Sequence, residues 1–128
     1  MLIHRHARIG QRAKVYFVSD HDPSGLDLQR SWQEALGNFN APVNEFARLG
    51  LTRGQVNDLD LRRFAIAVKP ADSRSKTYIA EHGRDCWEVD VLPASALEAA
   101  LEADIRSWFD SKQWARRSAE IERARELL

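Results

Sequence analysis

Hydrophobic spacing in the first third of the chain predicts a buried strand followed by an amphipathic helix. Residues 15–18 (Val-Tyr-Phe-Val) form an apolar run rich in β-branched and aromatic side chains, which is typical of a buried strand. Leu28, Trp32 and Leu36 then recur at helical spacing. We therefore expect a helix over residues 24–36 that packs these three side chains on a sheet.

The middle of the chain alternates between strand-like and helix-like segments. A strand is predicted over residues 43–51, with Phe46 buried and Arg48 in solvent. Thr52 is a suitable N-cap for a short helix that follows this strand. Residues 64–68 form another apolar run, which we interpret either as a strand or as an irregular connection.

Alternating apolar residues predict a further strand over residues 86–92. Its apolar face carries Trp87, Val89 and Val91. Glu88 and Asp90 lie on the other face and form an acidic pair. We interpret this pair as charges that prevent edge-to-edge strand pairing or that pair with nearby arginines, and alternatively as an additional metal ligand.

Two helices are predicted at the end of the chain. Residues 93–109 carry an apolar stripe at helical spacing, whereas residues 112–128 carry only a narrow apolar seam among arginines and glutamates. So narrow a seam indicates a helix that docks on a partner or packs loosely on the core. We therefore divide the chain into an α/β domain over residues 1–110 and a C-terminal helix over residues 111–128.

Composition narrows the possible classes of function. The 128 residues suit one domain, and the 19 basic and 19 acidic residues give no net positive charge for non-specific DNA binding, although a local basic patch stays open. The single cysteine, Cys86, excludes an internal disulfide and fits a reducing compartment, so we expect a cytoplasmic location. No apolar run approaches the roughly 20 residues that span a membrane, so we expect no membrane partner.

Two carboxylates follow the first predicted strand. Asp20 and Asp22 lie at its carboxyl end, where open α/β sheets bind their ligands. In an extended segment they point to one side and His21 points to the other. Oxygen ligands suit Mg²⁺ or Mn²⁺, and an ion between two carboxylates relieves their repulsion. The alternative is an acidic turn in which Asp22 or Ser24 caps the helix and Asp20 is solvated.

Four segments resemble the Toprim domain of type IIB topoisomerase A subunits and of their meiotic double-strand-break relatives. They are VYFVSDHDPSGLDL (15–28), FARLGLTRGQVNDLDL (46–61), PADSRSKTYIAEHG (70–83) and CWEVDVLPASALEAAL (86–101). The resemblance implies an α/β fold with a partial Toprim-like (Rossmannoid), mostly parallel sheet flanked by helices, followed by C-terminal helices. It implies Mg²⁺ (or Mn²⁺) at Asp20 and Asp22. It also places the "DSR" segment near nucleic acid, which makes Lys69, Arg74 and Lys76 candidate phosphate contacts.

Two parts of the family pattern have no counterpart in this sequence. The family's catalytic glutamate lies before the aspartate strand, but residues 1–13 contain neither glutamate nor aspartate. Neither Tyr16 nor Tyr78 matches the tyrosine nucleophile of the topoisomerases. We therefore expect a magnesium-binding, DNA-processing module that does not cleave strands alone, with self-association or a partner chain supplying the missing part. The alternatives are a non-catalytic, truncated remnant that acts as a binding module and, with less support, a hydrolase with an aspartate nucleophile.

Overall fold

A computed structural model describes residues 13–38, 43, 45–108 and 110–128. These residues form a mixed α/β structure, as the sequence predicts. Helices predominate, and the strands form one parallel and one antiparallel pair. Contacts divide the chain into a first unit, Met1–Leu97, and a second unit, Glu98–Leu128. The boundary expected at residue 110 stays a prediction. Residues 1–12 and Phe109, at the end of a predicted helix, lie outside the described residues.

A parallel pair of strands opens the first unit. Strand β1 (Lys14–Val18) pairs with β2 (Glu45–Gly50), and the chain between them contains helix α1 (Pro23–Asn38). At the start of the register, Lys14 Nζ lies 2.8 Å from Glu45 Oε1. At the other end of the register Val18 pairs with Gly50, so the two strands end together and the residues after β1 lie at the carboxyl end of a parallel pair.

The rest of the first unit is built from short elements. They are helix α2 (Arg53–Asp58), a 3-10 helix (Leu61–Phe64), strand β3 (Ile66–Ala67), helix α3 (Ser75–His82), strand β4 (Asp85–Cys86) and a second 3-10 helix (Val89–Val91). Strands β3 and β4 pair antiparallel. Thr52 caps α2, as predicted, and forms a capping box with Gln55. The apolar run at 64–68 thus contains a strand of only two residues.

Two clusters of buried side chains hold the first unit together. The larger contains Leu51, Val56, Leu61, Trp87 and Leu92, and the smaller contains Val68, Tyr78 and Cys86. The Trp87 indole Nε1 donates to the Leu61 carbonyl oxygen over 3.1 Å, so this large side chain is buried with its polar atom satisfied. Trp87 also pairs through its backbone with His21, which connects the core to the acidic turn after β1.

The strand predicted over residues 86–92 is wrong beyond Cys86. Trp87 is buried and Val89 and Val91 pack against the core, so the apolar face was correctly assigned. The backbone nevertheless turns into a 3-10 helix. The amide of Val89 donates to the side chain of Asp20 and not to a neighbouring strand. This contact joins residues 69 positions apart, and hydrophobic alternation gives no indication of it.

The expected buried face of α1 is also wrong. Leu28 is 50% exposed and Trp32 is 54% exposed. The helix instead buries Pro23 and Gly25 in its first turn. Helical spacing correctly predicted that these apolar residues share a face, but it does not say whether another element covers that face.

The second unit contains most of helix α4 (Ala94–Trp108) and all of helix α5 (Ser111–Glu126). The Asp110 side chain caps α5 by accepting from the amides of Lys112 and Gln113. None of the described residues of either helix is fully buried. Among the described helices, none combines the length and the apolar character that crossing a membrane requires.

Candidate metal and phosphate site

Backbone hydrogen bonds hold the acidic turn after β1 on two sides. On one side, the amide of Ser19 donates to Gly50 and that of Leu51 donates to Ser19, each over 2.9 Å. On the other, His21 and Trp87 exchange backbone hydrogen bonds of 2.8 and 3.1 Å. The four residues between β1 and α1 are therefore positioned by β2 on one side and by the segment after β4 on the other.

Asp22 is the N-cap of α1. Its Oδ1 accepts from the amide of Gly25 over 2.6 Å, and Pro23 occupies the first helical position, where no amide hydrogen is needed. A Cβ atom on Gly25 would lie 2.2 Å from the carbonyl oxygen of Asp20, so only glycine allows the turn and the helix to approach this closely. The proposed cap is thus present.

Asp20 is not merely solvated, because its Oδ1 accepts from the amide of Val89 over 2.7 Å. Asp20 and Asp22 line the same cavity, which has a volume of about 270 Å³. Among the described residues, neither Oδ2 atom accepts a hydrogen bond. Each side chain therefore has one oxygen fixed by the backbone and a second that the fold does not use.

His21 lies in the core between these two residues. It is 4% exposed, and its Nδ1 lies 2.8 Å from the Tyr78 hydroxyl, whose single proton is directed at the carbonyl oxygens of His21 and Asp85. His21 Nδ1 therefore carries the hydrogen and donates to the Tyr78 hydroxyl oxygen, which still has a free lone pair. Burial, followed by the nearby His82 and Arg48, lowers the pKa of His21 to about 4, so the ring is neutral at pH 7.

Arg48 is half-buried in the structure, whereas the strand pattern predicts it in solvent. Its guanidinium donates to the carbonyl oxygens of Ser19, Asp20 and Leu51 over 2.6–2.9 Å, and to the side chain of Gln29 over 2.9 Å. Burial lowers the pKa of Arg48, and the charges of Asp20 and Asp22 oppose this shift. Arg48 therefore positions the backbone that carries the acidic pair.

The three predicted nucleic-acid contacts lie in different environments. Lys69 lines the cavity with Asp20 and Asp22. Arg74 forms two side-chain hydrogen bonds with Asp72, of 2.8 and 3.0 Å, which lower the pKa of that carboxyl and raise the pKa of Arg74. Lys76 is exposed and does not line the cavity. All three cations are exposed; within the described residues, Lys69 is the one of them that lines this cavity, and it forms no ion pair with those residues.

The remaining polar groups of the cavity define its chemistry. Glu88 lines it, whereas Asp90 does not. Burial, followed by the charge of Asp22, raises the pKa of the Cys86 thiol, which is a poor nucleophile in this state. In the part of the chain that the structure describes, no group of three or more histidine, cysteine or acidic side chains is arranged to hold a metal ion. Four acidic residues, Asp20, Asp22, Asp72 and Glu88, line the cavity, but among the described residues no three of them converge on one ion.

Comparisons with known proteins found no family model, no curated protein and no solved structure that matches this chain.

Proposed function

We propose that this chain is a Toprim-like module of a DNA-processing protein, in which Asp20 and Asp22 bind Mg²⁺ or Mn²⁺. The observation that carries the proposal is the shared cavity of the two side chains at the carboxyl end of β1. Ligands of open α/β sheets bind at this end of the strands. The resemblance of residues 15–28 to the family's aspartate motif supports the same assignment.

The available oxygens fit a weakly coordinated Mg²⁺ ion. Mg²⁺ usually binds through one or two protein carboxylates and completes its octahedron with water and phosphate oxygens. The Oδ1 atoms of Asp20 and Asp22 are held by backbone amides, and their Oδ2 atoms are the candidate ligands. When bound, the ion would supply positive charge against a phosphate group. Strand cleavage by this chain alone is not proposed, because the sequence offers no counterpart of the family's glutamate and tyrosine.

A second candidate is a binding module without catalytic activity. The hydrogen bonds that Asp20 and Asp22 accept from backbone amides favour this second candidate, because they stabilise the turn even when no ion is bound. The exposed face of Leu28 and Trp32 supports a contact with a second copy or with another chain. Metal binding separates the two candidates.

Titration with Mn²⁺, followed by the electron paramagnetic resonance signal of the unbound ion, tests the metal site. We expect one site in the wild type and at least tenfold weaker binding in Asp20→Asn and Asp22→Asn, because each substitution removes a charged ligand. Asparagine retains an oxygen that can accept from the Val89 or Gly25 amide, so both variants should fold. Asp90→Asn is the matched control, since Asp90 is exposed and lies outside the cavity. Equal titrations for all four proteins would contradict the proposal.

A further inference from the structure

The second unit carries an apolar groove between its two helices. Leu101 and Ile105 of α4 and Trp114 of α5 line this groove, which has a volume of about 540 Å³. Trp114 is 60% exposed, and Ile121, two turns further along α5, is 55% exposed. Because positions seven apart lie on one face of a helix, Ile121 extends the apolar surface of the groove along α5.

The charges of α5 differ between its two halves. Residues 111–118 contain three basic residues and no acidic one, whereas residues 119–126 contain three acidic and two basic residues. Arg117 and Glu120 are exposed and only three positions apart, yet neither forms an ion pair with the described residues. Among those residues, the ion pair within α5 joins Glu122 and Arg125, both in the second half. The basic charge of the first half is therefore not neutralised within the helix.

We infer that α5 packs antiparallel against α5 of a second copy of this chain. Antiparallel packing places the basic half of each helix against the acidic half of the other, whereas parallel packing places the two basic halves together. A two-fold contact uses the same surface on both copies, so a helix with opposite charges in its two halves is complementary to itself. The contact also removes the apolar surface of Trp114 and Ile121 from water.

Two serines on the apolar face distinguish the two orientations. Ser111 and Ser118 are seven positions apart, and Ser118 lies between Trp114 and Ile121 at helical spacing. Ser118 is at the middle of α5 and Ser111 is at its start. Antiparallel packing centred on the helix therefore brings the two copies of Ser118 together and separates the two copies of Ser111 by about 20 Å along the axis. Parallel packing brings both pairs together.

Sedimentation equilibrium of the full chain, measured over a wide range of concentration, tests the association. We expect a monomer–dimer equilibrium in the wild type and at least tenfold weaker dimerisation in Ile121→Gln, because each copy then buries an amide in place of an apolar side chain. Ile121 is exposed, so this variant should retain the fold, which circular dichroism checks. A wild type that is monomeric at every concentration, or a dimer that Ile121→Gln leaves unchanged, would overturn the inference.

Charge reversal tests the electrostatic part of the contact. We expect Arg117→Glu to weaken dimerisation about tenfold, and the double variant Arg117→Glu/Glu120→Arg to recover most of the loss, since it restores opposite charges on the same face. Arg116→Glu is the matched control, because Arg116 is the neighbouring residue of the same type and lies on the opposite side of α5 from Ile121. It should stay within about twofold of the wild type. Equal effects of Arg117→Glu and Arg116→Glu would contradict the proposed face.

Oxidative cross-linking tests the orientation. We expect Ser118→Cys to form a disulfide-linked dimer and Ser111→Cys to stay largely uncross-linked, because a disulfide requires Cα atoms within about 7 Å. The wild type is the background control, since its single cysteine, Cys86, is buried. Cross-linking of both variants with equal efficiency would assign parallel packing and overturn the inference.

Discussion

The two units of this chain are stabilised by different interactions. In the first, short elements surround buried side chains such as Trp87 and Leu51, and long-range polar contacts such as that of Asp20 with Val89 tie its turns together. In the second, the helices α4 and α5 have no fully buried residue among those described, and the ion pairs Glu102–Arg106 and Glu122–Arg125 each lie within one helix. This difference shows that the long, regular helices contribute fewer buried side chains than the first unit does. The irregular turns that carry the candidate site are held by more buried and long-range contacts.

Replacing one tryptophan in each unit should give the largest contrast. Trp87 is 2% exposed and Trp114 is 60% exposed. We expect Trp87→Ala to lower the free energy of unfolding by about 3–5 kcal/mol, because it leaves a cavity and removes the indole hydrogen bond, and Trp114→Ala to lower it by about 1 kcal/mol or less. Urea denaturation followed by far-UV circular dichroism measures both.

If Trp87→Ala does not fold, Trp87→Phe replaces it in this measurement. We expect Trp87→Phe to lower the free energy of unfolding by about half as much. Equal costs for Trp87 and Trp114 would show that the two units do not differ in packing.

Lowering the pH should destabilise the first unit selectively. The pKa of His21 is about 4 in the folded chain and 6.5 as its ordinary value, so the unfolded chain binds a proton that the folded chain does not. This contribution is fully present above pH 6.5 and is lost as the pH falls towards 4, by about 3 kcal/mol. Residues 98–128 contain no histidine.

Urea midpoints measured between pH 7 and pH 4 in EDTA test this prediction without interference from divalent ions. His21→Gln should be less stable at pH 7 but should show a flatter dependence. A wild-type midpoint that does not change between pH 6.5 and pH 4 would contradict the buried, neutral state of His21.

Removing one helix cap from each unit should give the smallest effect. Thr52 caps α2 and Asp110 caps α5. We expect Thr52→Ala to lower the stability of the whole first unit by about 1 kcal/mol, and Asp110→Ala to speed amide exchange only in the first turn of α5. Hydrogen exchange resolved by residue distinguishes the two responses. A global response to Asp110→Ala would show that α5 unfolds cooperatively with the core.

Local chemistry made part of this structure predictable from the sequence. The strand of residues 15–18 and the cap at Thr52 follow from neighbouring residues, and the structure contains both, although the strand is half-buried to exposed and not buried as predicted. The same holds for the opposite directions of His21 and its two acidic neighbours, which follow from an extended backbone.

The features that the sequence did not reveal depend on distant partners. Arg48 donates to carbonyl oxygens of a turn that lies close to it only in the folded chain, and hydrophobic periodicity does not predict this contact. The amide of Val89 donates to Asp20, which is far from it in the sequence. The exposure of Leu28 and Trp32 likewise depends on what lies beside α1 and not on the helix itself. The sequence also does not predict which cations form ion pairs. Arg74 pairs with Asp72, whereas Lys69 forms no ion pair with the described residues.

The position of His21 gives a practical advantage for finding ligands. Because this residue is anchored in the core, its two neighbours share a cavity only while the core is intact, and a compound that needs both of them has no site on the denatured chain. Such a compound raises the unfolding free energy by linkage, by about 2.7 kcal/mol at a concentration a hundredfold above its Kd. A melting curve can therefore serve as a screen for metal ions and other small ligands of this cavity.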